Sequence, residues 1–190
     1  AGFYHLGDPT IFHPAPSPFG IPYRSLYSVN IENLFFAGRN ISATHAAMSA
    51  TRVMATCATM GQAVGTAAAI AIGEELTPRG VYQQRINDLK QTLMEDDCYL
   101  PWNRYQVSSL TEKARLTASE GNPEPLRNGI DRPINGEMNC WQGSVGAIIK
   151  YSFEHVEKIS QIRFVFDSDL KEQNSGHHHM NMPCRYPLDE

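Results

Sequence analysis

The sequence predicts an α/β part followed by a small β-sandwich. In the first half, a short apolar run at residues 34–37 precedes a long stretch of small residues at 55–72, as a buried strand precedes a helix in α/β proteins. In the second half, short stretches of strand character alternate with Gly, Pro and Asn clusters, which is typical of a sandwich. We therefore expect an α/β part over residues 1–94, a linker over 95–106 and a sandwich module over 107–190.

The first elements are a loop and two short strands. Residues 8–23 contain five prolines and one glycine, a composition that excludes a regular helix. Residues 25–29 alternate as a short strand does. Residues 34–37 are continuously apolar and stop at Gly38, which predicts a strand buried on both faces of a parallel sheet.

A long helix is expected over residues 55–72, ending at Gly73. Gly61 and Gly65 are four residues apart and share one face, so we expect that face to lie close to another element. The expectation is a buried helix, because two mid-helix glycines on an exposed surface would cost about 1 kcal/mol each relative to alanine.

A second helix is expected over residues 78–94. Thr77 is a candidate N-cap, and Pro78 suits the first helical position. The helix has one apolar stripe, formed by Val81, Ile86, Leu89 and Leu93.

The second half contains three predicted strands. Residues 114–119, 147–153 and 159–166 all have strand character, and the last of them alternates most cleanly. The triplet at residues 177–179 is all histidine, but structural zinc ligands are spaced differently, so we expect a polar loop and no metal site.

Composition excludes several classes of partner. There are 20 acidic and 16 basic residues and no basic run, which argues against nucleic acid and against a basic membrane-surface helix. The longest apolar stretch, at residues 63–72, is too short to span a bilayer, which takes roughly 20 residues. The chain begins without methionine, which suggests a fragment. The compartment stays open, with the periplasm and the extracellular space among the options.

The four cysteines lie far apart, at positions 57, 98, 140 and 184, without a CxxC motif. This spacing excludes a zinc knuckle and a thioredoxin-like motif. We expect free, mostly buried thiols rather than disulfides.

The segment around Gly38 is the part of the sequence whose pattern indicates a ligand-binding site. A strand that ends in glycine lets a ligand pass close to the backbone, and a following helix offers free N–H groups and about half a positive charge at its start. Nucleotide sites use this arrangement, and α/β proteins that bind nothing contain it as well.

Two segments strengthen the nucleotide interpretation. Residues 33–45, NLFFAGRNISATH, and 51–68, TRVMATCATMGQAVGTAA, resemble the C-terminal flavin-binding signature of a bacterial FAD-dependent oxidoreductase family, some of whose members are labelled putative xanthan lyase. Residues 20–27, GIPYRSLY, resemble the block that precedes it. The resemblance implies part of an FAD-binding, Rossmann-like domain.

The resemblance also implies roles for individual residues. Gly38, Arg39 and Asn40 would lie along the ribityl-pyrophosphate part of FAD. The helix start beneath the N1/O2 edge of the flavin would be formed by Ala55, Thr56 and Cys57. His45 and Arg52 would bind or protonate substrate.

Each role has a plainer alternative. Arg39 replaces the acid that related enzymes usually carry after the glycine, so the ribityl contacts can differ. Arg52 could pair with a carboxylate as a structural cation, and His45 could be a core histidine. Cys57 near a helix start is expected to have a lowered thiol pKa, which permits a redox role.

The ADP-binding half of such a domain carries GxGxxG, and no GxGxxG occurs in the 190 residues. We therefore expect FAD in the full-length parent and not in this chain alone. The predicted function is a C-terminal fragment of an FAD-dependent oxidoreductase that transfers hydride on a small or sugar-derived substrate and is inactive alone. The alternatives are a carbohydrate-binding module and a polysaccharide-lyase-associated protein.

The second half resembles a galactose-binding-like β-sandwich in the order of its blocks. That family usually has Asp-Gly where this chain has Asn128 and Gly129, which puts a calcium role in doubt. Trp141 is either a sugar-stacking platform or a packing residue of the sandwich. The resemblance makes carbohydrate a candidate partner.

Overall fold

The computed structural model describes residues 18–133 and 136–166 of the chain. Two compact units are distinguished, one that runs to Ser152 and one that begins at Phe153. The predicted triplet of histidines and the fourth cysteine lie outside the described residues. The domain boundaries predicted from the sequence stay predictions.

In its described residues, the first unit is rich in helix and has one small sheet. Its helices are α1 (His45–Thr51), α2 (Met54–Gly73), α3 (Pro78–Gln84), α4 (Ile86–Glu95) and α5 (Ser109–Lys113). Its strands are β1 (Arg115–Ala118) and β2 (Ile149–Ser152), and two 3-10 turns occupy Tyr23–Leu26 and Glu124–Arg127.

Helix α2 confirms that residues 55–72 are helical, but the expectation of a buried helix is wrong, because 3 of its 20 residues are buried. Its glycine face is also not where we expected it. The buried residues of α2 are Met60, Ala67 and Ala71, which join a core shared with α3 and α4. A methyl group added at Gly61 or Gly65 would meet nothing within 4 Å. The expectation that this face packs closely is wrong for the described residues, because α3 and α4 lie against the other side of α2.

The predicted helix over 78–94 is two helices with a break at Arg85. Thr77 caps α3 as expected, since its Oγ1 accepts a hydrogen bond from the N–H of Gly80 at 3.0 Å. Arg85 leaves the helical conformation with φ −130° and pairs with Glu74 and Asp88. The expected apolar stripe survives the break: Val81, Leu89 and Leu93 are buried, and Ile86 packs against them.

The segment before α1 forms a short turn and hairpin instead of the two predicted strands. Residues 23–26 form a 3-10 turn in which the N–H of Ser25 donates to the carbonyl of Pro22 at 2.9 Å. Tyr27 and Phe35 form a single antiparallel bridge. The prediction that residues 34–37 are a strand buried on both faces is wrong here, because no parallel neighbour lies beside them in the described part of the chain.

The predicted linker at residues 95–106 begins with the last residue of α4 and has neither helix nor strand from residue 96 on, but it is attached to the helical core. Cys98 is buried in that core, and Leu100 packs against it. The side chain of Gln91 on α4 accepts a hydrogen bond from the N–H of Gln106 at 2.7 Å. The segment is therefore an ordered connection along the helices.

Strands β1 and β2 confirm two of the three strands expected in the second half, and they pair antiparallel. They form a two-stranded sheet, so the described residues do not show the expected sandwich. Arg127 supports this region, because one of its guanidinium nitrogens donates to the carbonyls of Thr111, Glu112 and Ala114 at the end of α5.

The second unit is described over residues 153–166, and the strand predicted at 159–166 is not formed there. Apolar side chains are exposed on both sides of this segment: Ile162, Phe164 and Phe166 on one side and Val165 on the other. Alternation predicts a strand only where one face has something to cover it. No strand pairs with this segment in the described part of the protein.

Helix α2 bears on the question of a membrane span. It is longer than the apolar stretch judged from the sequence, and among the described residues it is the one helix that meets the length and hydropathy of a span. A helix in a protein core meets the same two criteria. Length and composition are weak evidence for a span, and α2 packs against α3 and α4, although only 17% of its span-length window is buried.

Candidate functional site

The candidate site begins at a turn that only glycine suits. Gly38 has φ 89°, in the left-handed region where a side chain is unfavourable. The N–H of Ile41 donates to the carbonyl of Gly38 at 3.4 Å, and the N–H of Ser42 donates to the carbonyl of Ser25 at 3.0 Å. These bonds hold the turn against the preceding 3-10 turn and leave Arg39 and Asn40 exposed.

The start of α2 is the second component. Val53 precedes the helix in an extended conformation and provides no side-chain cap, and the first turn contains no acidic residue. The N–H groups of Met54, Ala55 and Thr56 therefore have neither a side-chain cap nor a neighbouring carboxylate in that turn. A 20-residue helix with such a start favours a negatively charged or electron-rich group.

Helix α1 differs from α2 in this respect. Thr44 caps it, because its Oγ1 accepts a hydrogen bond from the N–H of Ala47 at 3.3 Å. One of the N–H groups in the first turn of α1 is therefore already hydrogen-bonded within the protein. Of the two helix starts, that of α2 therefore has more N–H groups free to bind a ligand.

Cys57 joins the glycine turn to the helix start. A Cβ built at Gly38 would lie 3.9 Å from the Cβ of Cys57, so the turn contacts the first turn of α2. The Cys57 thiol donates to the carbonyl of Thr51, with 3.6 Å between sulfur and oxygen. Cys57 thus links the turn, the end of α1 and the start of α2. The contact with Thr51 has no signal in the sequence.

His45 and Arg52 frame α1 at its two ends. His45 is the first residue of the helix and Arg52 follows its last, and both side chains are exposed. The alternative of a core histidine does not fit an exposed His45. Within residues 18–133 and 136–166, Arg52 and Arg39 form no salt bridge, so the alternative of a structural ion pair for Arg52 finds no partner there.

Other features of the described residues lie apart from this site. An open cavity of about 410 Å³ is lined by Arg127, Asn128 and several carboxylates, but by none of the predicted site residues. Two of those carboxylates, Glu124 and Glu137, are held in salt bridges. No group of His, Cys, Asp and Glu suited to a metal ion occurs in the part of the chain that is described.

Three of the cysteines are described, and all three are free. Cys98 is buried, Cys57 is half-buried and Cys140 is exposed, so the expectation of mostly buried thiols holds for Cys98 alone among the three. Burial raises the pKa of the Cys98 thiol, with a smaller contribution from Asp96.

Trp141 belongs to the packing of its own loop. Its ring N–H donates to the carbonyl of Glu120 at 2.8 Å, and its ring lies against the backbone of Gly121 and Gly143. Asn128 is similarly engaged, since its amide donates to the carbonyl of Met138 at 2.7 Å and accepts from the N–H of Ile130 at 3.0 Å. An aspartate could not make the first of these bonds.

A glycine turn in contact with an uncapped start of a long helix is an arrangement that nucleotide-binding sites use. Residues 7–93 match the family model described as FAD dependent oxidoreductase. The match spans less than half of the chain but includes every predicted site residue, and it supports an oxidoreductase fragment. It carries no support for the label of xanthan lyase or for a galactose-binding module. No curated protein and no solved structure matches the chain.

Proposed function

We propose that the first half of this chain is the flavin side of an FAD-dependent oxidoreductase that acts on a small or sugar-derived substrate. The observation that supports this most is the contact between the Gly38 turn and the first turn of α2. It combines a backbone without a side chain and a helix start without a cap, which are the two features that a flavin and its ribityl chain need.

The residues present suit the flavin ring and the ribityl-pyrophosphate part of FAD, and not its ADP part. Gly38, Arg39 and Asn40 would border the ribityl-pyrophosphate part, and Ala55, Thr56 and Cys57 would lie beneath the N1/O2 edge of the ring. No GxGxxG is available for the ADP part, so we propose that FAD is held by the full-length protein and not by the 190-residue chain alone.

FAD, when bound, supplies the transfer of hydride between substrate and cofactor. The start of α2 would provide a positive end of the helix dipole where the ring gains negative charge. His45 and Arg52 would orient the substrate. Arg52 is exposed and has no carboxylate partner among the described residues, which suits an anionic or polar group of that substrate.

The assignment of the α2 start to the flavin can be tested with an added negative charge. Such a charge should stabilise the helix and weaken the binding of FAD. Ala55→Asp places a carboxylate in the first turn of α2, at an exposed position. It stabilises the helix itself by about 0.3–1 kcal/mol. In the full-length protein, we expect it to weaken FAD binding and to make the reduction potential of the flavin more negative.

Ala58→Asp is the matched control, because Ala58 is exposed on the same helix one turn later. We expect Ala58→Asp to change the potential much less than Ala55→Asp does. FAD affinity and potential that respond equally to both variants, or to neither, would contradict the assignment of this helix start to the flavin.

A further inference from the structure

Trp102 occupies a backbone position that normally takes a smaller residue. The N–H of Asn103 donates to the carbonyl of Leu100 at 3.2 Å, which closes a four-residue turn with Pro101 in second place. Trp102 is third, with φ 61°. Proline followed by a left-handed residue defines a type II turn, in which glycine or asparagine is preferred at the third position. A tryptophan there is strained.

The ring gains little burial in return for this strain. The Trp102 residue is 67% exposed, although tryptophan is among the residues that gain most from being buried. One edge of the ring lies against Gly20, where an added Cβ would be 3.8 Å from Cζ3. Phe19, the neighbour of Gly20, is also exposed, at 50%. A strained residue that presents an aromatic ring to solvent suggests a binding role.

The surroundings favour a neutral, hydroxyl-bearing ligand. Residues 95–97 are all acidic and precede the turn, and Arg104, which follows it, is paired with Glu137. This local balance of charge disfavours an anionic ligand at the ring. The amide nitrogen of Asn103 donates to the carbonyl of Pro101 at 2.9 Å. That bond ties the amide of Asn103 to the turn, in the residue that follows Trp102, and the amide oxygen can accept a hydrogen bond.

We propose that Trp102 is a stacking platform for a sugar ring of a neutral polysaccharide, with the Asn103 amide oxygen accepting a hydrogen bond from a ring hydroxyl. The apolar face of a pyranose covers the indole, and its hydroxyl groups stay available to Asn103 and to water. This site is independent of the flavin proposal. It also differs from Trp141, whose ring is engaged in packing its own loop.

The test is a titration of the 190-residue chain with cellohexaose and, separately, mannohexaose, followed by tryptophan fluorescence. Trp141→Phe leaves Trp102 as the only tryptophan of the chain. We expect this variant to show a saturable shift in emission with at least one of the two sugars. The same sugar should bind Trp102→Gly about tenfold more weakly or worse, measured by calorimetry.

Trp102→Gly is the informative variant because it removes the ring and also removes the backbone strain of a side chain at φ 61°. Its urea midpoint should be no lower than that of the original chain, so lost binding cannot be attributed to misfolding. Unchanged binding in Trp102→Gly would overturn the proposal, as would the absence of binding to both sugars. An emission shift that follows protein concentration instead of sugar would assign the ring to self-association and would also overturn it.

Discussion

Replacing Gly38 by alanine tests whether its backbone serves the cofactor or only the turn. Gly38 has φ 89°, so a side chain there is disfavoured by about 1–2 kcal/mol. The added Cβ would lie 3.9 Å from the Cβ of Cys57, which is an ordinary contact and adds no clash. Alanine also restricts the unfolded chain, which offsets about 0.4–1 kcal/mol. The expected net loss of stability is about 1 kcal/mol.

The matched control is Gly61→Ala in α2. Gly61 is in a helix, and an added methyl group meets nothing within 4 Å. Alanine is the better helix former, so this variant should gain about 0.5–1 kcal/mol. The two substitutions add the same methyl group and should shift the urea midpoint of the 190-residue chain in opposite directions.

The same pair is then compared for FAD binding in the full-length protein, by flavin fluorescence titration. If the ribityl chain passes against Gly38, the methyl group displaces it, and affinity should fall about tenfold or more. Gly61→Ala should bind FAD as the original protein does. Unchanged affinity in Gly38→Ala, with the expected loss of stability, would refute the placement of the cofactor at this turn.

Three further predictions concern other parts of the first unit. Asn128→Asp should destabilise the chain by about 0.5–1.5 kcal/mol in urea unfolding, because a carboxylate cannot donate to the carbonyl of Met138; unchanged stability would contradict the bond. Burial raises the pKa of Tyr23 above its ordinary value of 10.0, so its contribution to stability is complete below pH 10 and is lost as the pH rises further. Tyr23→Phe should flatten the alkaline part of the stability profile, and a profile as steep as before would contradict the prediction. Alkylation with iodoacetamide, mapped by mass spectrometry, should modify exposed Cys140 well before buried Cys98, whose raised pKa also disfavours the thiolate; equal rates would show that Cys98 is not buried.

The helices were the most predictable part of the fold, because their signals are local. The small residues of α2 and the Thr77–Pro78 start of α3 each determine structure over one or two turns. The break at Arg85 was missed, since the apolar stripe continues through it. An apolar stripe predicts which face of a helix is buried, but it does not predict where one helix ends and the next begins.

The strands were less predictable, because a strand requires a partner that its own sequence does not specify. The apolar residues at 34–37 and the alternating ones at 159–166 have the composition of strands, yet neither forms part of a sheet in the described residues. Arg115–Ala118 and Ile149–Ser152 are strands because they pair with each other, although 30 residues separate them in the sequence. Propensity is therefore a weaker guide for strands than for helices.

The residues of the candidate site were chosen from the sequence and stay a prediction, and the contacts between them could not be chosen in that way. The glycine before Arg39 and the helix start could be chosen from the sequence. The approach of Gly38 to Cys57, and the bond from Cys57 to Thr51, depend on how α1 and α2 meet. Pairwise contacts between segments follow from packing, which no short pattern encodes.

The most direct test of the central claim is the visible absorbance of two purified samples after incubation with FAD and removal of the free cofactor. One sample is the full-length protein that carries these residues, and the other is the 190-residue chain alone. The account predicts that the full-length protein retains the yellow absorbance of oxidised flavin and that the chain alone does not. A full-length protein that retains no flavin would contradict the assignment of the Gly38 turn and α2 to FAD.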